Sequence, residues 1–419
     1  MPSDPRAFLR GLFDAAVAAA MPERSILAHL PERPKGRTVV VGAGKGAAQL
    51  AQALEAAWDG PLTGVVVTRY GYAAPCERIE VIEAAHPEPD AAGLEATGRL
   101  FAAVQGLGPD DLVIALISGG GSALLPCPPP GMSLADEVAV HRALLASGAP
   151  IAEMNALRKH VSGIKGGRLA AAAHPARVAS LVVSDIPGDD PALVASGPTV
   201  PDPSGLEAAR AVVRRYGLAL PPAVAAHLER AGPAPDPADP AFARDTVAVI
   251  ASAAVSLEAA AAAAEAAGIR AAILSDAIEG EARDVARVHA AIAREVARRD
   301  RPFPRPVALL SGGETTVTVR RKGKGGRNGE FALAFALGVA GVAGVTALAA
   351  DTDGIDGSED NAGGVVDGGT AARVRAAGGD PRALLDGNDA WTALHLAGDL
   401  LVTGPTGTNV NDFRAILIA

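Results

Sequence analysis

The sequence predicts an α/β protein of two domains with mostly parallel or mixed sheets. Short apolar runs alternate with alanine-rich stretches along 419 residues, a length that favours more than one core. Several runs are near-continuous Val, Ile and Leu, the pattern of strands covered by helices on both faces. A Pro, Ala and Asp tract, RAGPAPDPADPAF from Arg230 to Phe242, cannot propagate a helix and divides the chain. The expected domains are residues 5–229 and 243–419, with a linker at 230–242.

The elements follow in order. SDP is a helix start signal, and Phe8, Leu9, Leu12, Phe13 and Val17 recur at helical spacing. Asp14 interrupts what could otherwise be taken for the apolar region of a signal peptide. The strands expected next are RTVVVGAG, TGVVVTRY, IEVIEA, DLVIALISGGG and VASLVVSDI. The second series is DTVAVIAS, RAAILSDA, PVALLSGGE, GVTALAADTDG and LLVTGPTGT. AAVSLEAAAAAAEAAG reads as a soluble alanine helix, and no apolar stretch reaches the roughly 20 residues a bilayer requires. Each strand run ends in Gly, Ser, Asp or Thr, and in open α/β sheets ligands bind at the carboxyl ends of strands.

Composition narrows the function. A net charge of -9 without a long basic stripe argues against nucleic acid as the main partner. Cys76 and Cys127 are too few for a disulfide framework and lack zinc-ligand spacing. A reduced, cytoplasmic protein acting on small molecules is expected, with no membrane partner and with a homodimer left open.

Three glycine-rich strand ends carry the chemistry. In VVVGAGKGAA, Gly42, Gly44 and Ala47 fit the first turn of a Rossmann-like dinucleotide fold. The second strand ends in Arg69 where a ribose-binding carboxylate belongs, which weakens NAD and leaves NADP open. Lys45 inside the turn suits an anion or a transferring phosphoryl group. The SGGGS turn (Ser118, Gly119, Gly120, Gly121, Ser122) can form an anion-binding concavity, and SGGET (Ser311, Gly312, Gly313, Glu314, Thr315) echoes it. Neither is a Walker loop, and neither matches the G-x-S-x-G elbow of serine hydrolases.

Acidic loops lie nearby in sequence. SDIPGDDP holds Asp185, Asp189 and Asp190, suited to Mg²⁺ or to accepting a proton. DTDGIDG supplies Asp351, Asp353 and Asp356 but fails as a calcium loop, because Ile355 and Ala362 stand where oxygen ligands are needed. In RRKGKGGRNGE, residues 320–324 read as a solvated hairpin tip, whereas Arg327 opens the next helix and can fork onto an anion. Arg158, Lys159 and Lys165 read as a charged helix face, with Arg158 able to orient an anionic substrate. The eight histidines form no zinc motif.

Taken in order, VVVGAGKGA, SGGGSALLP, NALRKHVSGIKGGRLA, SDIPGDDPALVASGPT, SGGETTVTV, GKGGRNGEFAL, DTDGIDG and TGTNVND resemble the motifs of the glycerate 2-kinases with a C-terminal MOFRL domain. The resemblance implies ATP- and Mg²⁺-dependent phosphorylation of D-glycerate at its 2-hydroxyl, in a cleft between two α/β domains. It implies Lys45 and Arg327 as catalytic cations, with Asp189 and Asp351 bordering the same cleft. On that basis SGGGS and SGGET would hold the ATP phosphates. Lys45, Arg158 and Arg327 would bind the acid, and Asp189, Asp351 and Asp353 would hold Mg²⁺, with Asp189 or Asp351 accepting the hydroxyl proton. Gly329 and Ala253 depart from the family, where Gln and Asn are frequent. Some relatives carry the label hydroxypyruvate reductase, so an NAD(P)H-dependent reductase is the alternative.

Overall fold

In the computed structural model, which describes residues 2–419, the apolar runs of the first half form one sheet. Its strands are β1 (Thr38–Ala43), β2 (Thr63–Arg69), β3 (Ile79–Ala84), β4 (Leu112–Ile117), β5 (Arg177–Val183) and β6 (Thr246–Ala251). The order is β3-β2-β1-β4-β5-β6, with β1 to β5 joined in parallel. β1 and β4 are buried throughout, as their unbroken apolar sequences require. Strand order reverses between β1 and β4, which creates a crevice at their carboxyl ends. Val41, Val67, Ile117 and Val182 pack on one face and Val40, Val66, Leu116 and Leu181 on the other.

The second half continues with β7 (Arg270–Ser275), β8 (Gly280–Glu281), β9 (Val307–Gly313), β10 (Thr315–Thr316), β11 (Val345–Asp351), β12 (Gly363–Asp367), β13 (Leu400–Leu401) and β14 (Asp412–Ile418). Six of these make a mixed sheet in the order β13-β12-β11-β14-β9-β7, and β8 pairs with β10. β14 lies between β11 and β9 and runs antiparallel to both. The helix Arg327–Gly338 covers one face through Phe331 and Phe335, and the alanine helix Ala253–Ala266 covers the other. Ser252 caps the latter helix by accepting from Val255 N–H.

The compact units are Pro22–Ile250 and Ala251–Ala419, the latter with the leading helix Pro5–Ala20. They differ from the expected 5–229 and 243–419 at both ends. The leading helix forms where its periodicity places it, but its apolar stripe belongs to the second core. Phe13 meets Phe413 edge-on at 5.9 Å, and Ser256 Oγ donates to Ala16 O at 2.9 Å. Arg6 then reaches Asp367 and Asp399 at 2.7 and 2.8 Å. The proline tract ends within the first unit, because β6 completes the first sheet before the chain crosses over. Among the described residues, no helix is long and apolar enough to cross a membrane.

Candidate active site

In the first unit the turn after β1 is built against the turn after β4. Gly44 has φ +139°, and a Cβ there would collide with Ser118, so only glycine lets the two strand ends approach. The turn amides are engaged internally: Gly44 N–H donates to Val67 O, Lys45 N–H to Gly119 O, Gly46 N–H to Ser118 Oγ and Ala47 N–H to Gly44 O. A dinucleotide cradle needs such amides free for a pyrophosphate. The SGGGS hydroxyls are also internal. Ser122 Oγ lies 2.9 Å from Ser196 Oγ, which donates to Asn155 Oδ1 at 2.8 Å.

Cations collect at this end of the sheet. The Lys45 side chain forms no ion pair among the described residues. A Cβ on Gly120 (φ +80°) would lie 3.0 Å from His86 Nε2 and 3.1 Å from Lys45 Cε, so both side chains flank that glycine. Arg69, ending β2, stacks over Tyr72 at 3.6 Å and leaves Nε without a hydrogen bond. Burial, then the charges of Lys45 and Arg69, hold His86 down to about 4. Asp185 lies against Gly119, where a Cβ would overlap its carboxylate. Asp189, at φ +52°, makes no side-chain hydrogen bond or ion pair to another described residue.

The expected charged face of Arg158, Lys159 and Lys165 does not exist: all three are buried. The helix Leu206–Tyr216 packs over the helix Ile151–His160 that carries the first two. Lys159 pairs with Asp202, and Lys165 Nζ with Glu137 Oε1 at 2.8 Å. Arg158 has no carboxylate partner; Nη2 meets only Met154 Sδ at 3.9 Å. Burial lowers it to about 10.

In the second unit, strand register assembles the site. Asp351 ends β11, pairs across with Asp412 of β14, and Asp412 pairs with Gly313 at the end of β9. Two motifs far apart in sequence thus meet at one sheet edge. Arg327, the first residue of its helix, donates Nε to Asp412 at 2.6 Å, Nη1 to Glu314 at 2.8 Å and Nη2 to Asp351 at 2.9 Å. Burial opposes its charge, but Asp412, Asp351 and Glu314 outweigh it and raise the arginine's pKa. Asp356 accepts from Asn328 and Gly329 N–H, satisfying amides that every helix N-terminus leaves open. Gly326 is required here because a Cβ would strike Asp356.

Asp412 also accepts from Asn328 Nδ2, from Thr315 N and Oγ1, and from the wholly buried Arg414. His289 Nε2 lies 3.1 Å from Ser311 Oγ, so the SGGET hydroxyls are engaged internally like those of SGGGS. Asp351 is raised well above the usual carboxylate range, first by burial and then by neighbouring Asp353. Among the described residues, no three His, Cys, Asp or Glu side chains stand together to hold a metal ion.

Comparison with known proteins fixes the family. Residues 8–229 match a model described as a domain of unknown function, DUF4147, and residues 307–412 match the MOFRL family. A D-glycerate 2-kinase from Thermotoga maritima is 40% identical over 96% of this chain and 96% of its own. The chain belongs to the glycerate kinase family with a C-terminal MOFRL domain. A crystal structure of glycerate kinase (EC 2.7.1.31) from the same organism superposes with a TM-score of 0.92 at 39% identity, covering 100% of both chains. A family relative from Agrobacterium vitis, provisionally named a hydroxypyruvate reductase, is 54% identical over 99% of this chain and 94% of its own.

Against the family motifs, the fold brings Lys45 together with Gly119 and Gly120, and Arg327 together with Glu314, Asp351 and Asp412. Asp353 joins the second group through its N–H, which donates to Asp351 Oδ1 at 3.1 Å. Asp412, Arg414, His86 and His141 were missed by motif reading. His86 lies two residues beyond β3, and its place at a strand's carboxyl end was the available signal. Asp412 lay inside the TNVND motif but carried no spacing that tied it to Arg327.

Proposed function

We propose that this chain transfers the γ-phosphoryl group of ATP to the 2-hydroxyl of D-glycerate. The observation that carries the reading is a division of charge. The first unit presents cations without carboxylate partners at the strand-order crevice, led by Lys45 with Arg69 beside it. Such groups suit phosphate and carboxylate and stabilise charge on the transferring group. The second unit presents Glu314, Asp351, Asp353 and Asp412 against only Arg327 and Arg414, an excess of negative charge.

Hard carboxylate oxygens fit Mg²⁺, which is commonly held by one or two carboxylates together with substrate phosphates. Asp351 and Asp353 are adjacent like charges, the arrangement a divalent cation relieves. They would hold the ion, and it would neutralise nucleotide charge. Asp189, free of internal partners, is the proposed proton acceptor or a further metal contact. Arg327 is a proposed catalytic cation whose three carboxylates fix its orientation before substrate arrives. SGGGS and SGGET serve the nucleotide through their backbone, since their hydroxyls are engaged. The relatives named as glycerate kinases support the same activity.

The name of the Agrobacterium vitis relative favours a second reading, reduction of hydroxypyruvate with NADPH. The engaged amides of residues 44–47 speak against it. ADP formation with D-glycerate, measured beside NADPH oxidation with hydroxypyruvate, separates the two. The kinase reading expects the first activity alone, with phosphorus NMR placing phosphate on the 2-hydroxyl. It also expects Lys45→Ala and Arg327→Ala each to lose at least ~100-fold in kcat. Full turnover in both variants would overturn the assignment.

A further inference from the structure

His86 stands in the first unit beside the turn that carries Lys45. It follows β3 in AHPEPD, a short connection to the helix Ala91–Val104. Asp90 fastens that connection. It caps the helix by accepting from Gly93 N–H at 3.0 Å, and it accepts from Tyr70 Oη, just beyond β2, at 2.8 Å. Pro87 and Pro89 restrict the backbone between. His86 is thereby held across Gly120 from Lys45: a Cβ on that glycine would lie 3.0 Å from His86 Nε2 and 3.1 Å from Lys45 Cε. Thr68 Oγ1 donates to Lys45 O at 3.1 Å and Lys45 N–H to Gly119 O at 2.8 Å, which fixes the lysine backbone from both sides. The carboxyl ends of β1, β2 and β3 thus bring Lys45 and Arg69 close enough to act on the charge of His86. All three residues are half-buried, so a ligand meets them from solvent and no sealed cavity is required.

The imidazole differs from its neighbours in charge. Burial, then Lys45, then Arg69 hold it down to about 4, so it is neutral at pH 7 and a poor base. Its ring makes no hydrogen bond to another described residue. Lys45 and Arg69 attract any small anion, whereas a neutral imidazole at the same place suits a group without charge. D-Glycerate has a carboxylate and two hydroxyls. The carboxylate suits the cations, and the 2-oxygen must stay open to the γ-phosphoryl group and to the acceptor of its proton. The 3-hydroxyl is left. We infer that His86 is a further substrate-binding residue, hydrogen-bonding the 3-hydroxyl of the acid while Lys45 and Arg69 attract its carboxylate. The inference rests on the proposed kinase activity and names the side chain that tells glycerate from an acid without that hydroxyl. It also gives Gly120 a purpose, because any side chain there would stand between the lysine and the histidine.

The test titrates the full chain, as parent, His86→Ala and His86→Gln, with D-glycerate and with D-lactate, which keeps the carboxylate and the 2-hydroxyl and lacks the 3-hydroxyl. One hydrogen bond at a half-buried site should make the parent prefer D-glycerate roughly 3- to 10-fold in calorimetric Kd. His86→Ala should weaken D-glycerate by that factor and leave D-lactate within about twofold, which erases the preference. His86→Gln, whose amide again offers a donor and an acceptor, should restore most of it, with KM for ATP unchanged in both variants. Because the ring has no internal partner, both variants should melt within about 2 °C of the parent. A merely structural histidine would weaken both acids together. A parent without the preference, a preference that survives in His86→Ala, or an equal loss of both acids in both variants overturns the inference, and ADP formation by the parent then keeps the kinase reading standing. If the parent forms no ADP, yet His86→Ala erases the preference and His86→Gln restores it, the kinase reading fails while the contact stands.

Discussion

Replacing Asp412 by alanine should destabilise the second unit far more than any surface ion pair could. Its side chain is fully buried and accepts from Arg327, Asn328, Arg414, and both the N–H and hydroxyl of Thr315. Without it Arg327 keeps Asp351 and Glu314, but Arg414 loses its one carboxylate while remaining wholly buried. Breaking a buried pair by removing one partner costs about 3–5 kcal/mol, and orphaned amide donors add to it. That is a large fraction of the roughly 5–15 kcal/mol that holds a domain folded. With a urea slope of about 2 kcal/mol per molar, the midpoint should fall by about 2 M. The chain has two tryptophans, Trp58 in the first unit and Trp391 in the second. Trp391 fluorescence in a Trp58→Phe background therefore reports the second unit. Glu314→Ala is the control: its carboxylate is 49% exposed, and loss of its pair to Arg327 should cost under about 1 kcal/mol. An Asp412→Ala midpoint within 0.5 M of its parent, on the order of 1 kcal/mol at that slope, would refute the reasoning.

Other expectations follow from single positions. Gly120→Ala places a methyl 3.0 Å from His86 and 3.1 Å from Lys45 on a backbone at φ +80°, so steady-state kinetics should show at least a tenfold loss of kcat/KM. Burial favours protonation of Asp367, but Arg373 and Arg6 outweigh it and hold the carboxyl at about 2. Its stabilisation is present above the unfolded value near 3.8 and is lost as pH falls through about 2, so the gap between parent and Arg6→Ala in urea melts should close over that window. Asp245 is pushed up to about 6 by burial, with one oxygen on Val178 N–H at 2.8 Å and the other unpartnered. Here the folded state binds the proton more tightly, so stability falls as pH rises from about 4 to about 6. Asp245→Asn should therefore stabilise the first unit at pH 7, on the order of 1 kcal/mol, and not at pH 4.

The sequence revealed what depends on local pattern. β1 and β4 were legible because strands buried on both faces must be continuously apolar, and the glycine turns because close backbone approach excludes a Cβ. β14 was not read as a strand, although it lies between β11 and β9 in the second sheet. Arg414 sits in the middle of DFRAILI, and an arginine with no exposed surface breaks the apolar signal. What makes it tolerable is Asp412, two residues away, together with Thr315 from another strand. The same limit hid Arg158. A basic cluster on a helix looks solvated until another helix packs over it, and that contact has no local signature. Likewise the stripe on residues 5–20 announced a helix but not which of two cores would receive it.

The two charge clusters argue for different tasks within one reaction class. An arginine bound by three carboxylates is a poor anion receptor by itself, because a ligand must displace partners already at 2.6 to 2.9 Å. It is a good fixed charge, since its orientation requires no reorganisation when negative charge develops nearby. Arg69 and Arg158 are the reverse case: they lack carboxylate partners, so an arriving anion gains their full attraction. Receptors of that kind lower KM, whereas preorganised charges raise kcat. Arg158→Gln should therefore act mainly on the KM for the acid and Arg327→Ala mainly on kcat. Equal effects of both substitutions on one parameter would refute this division of labour.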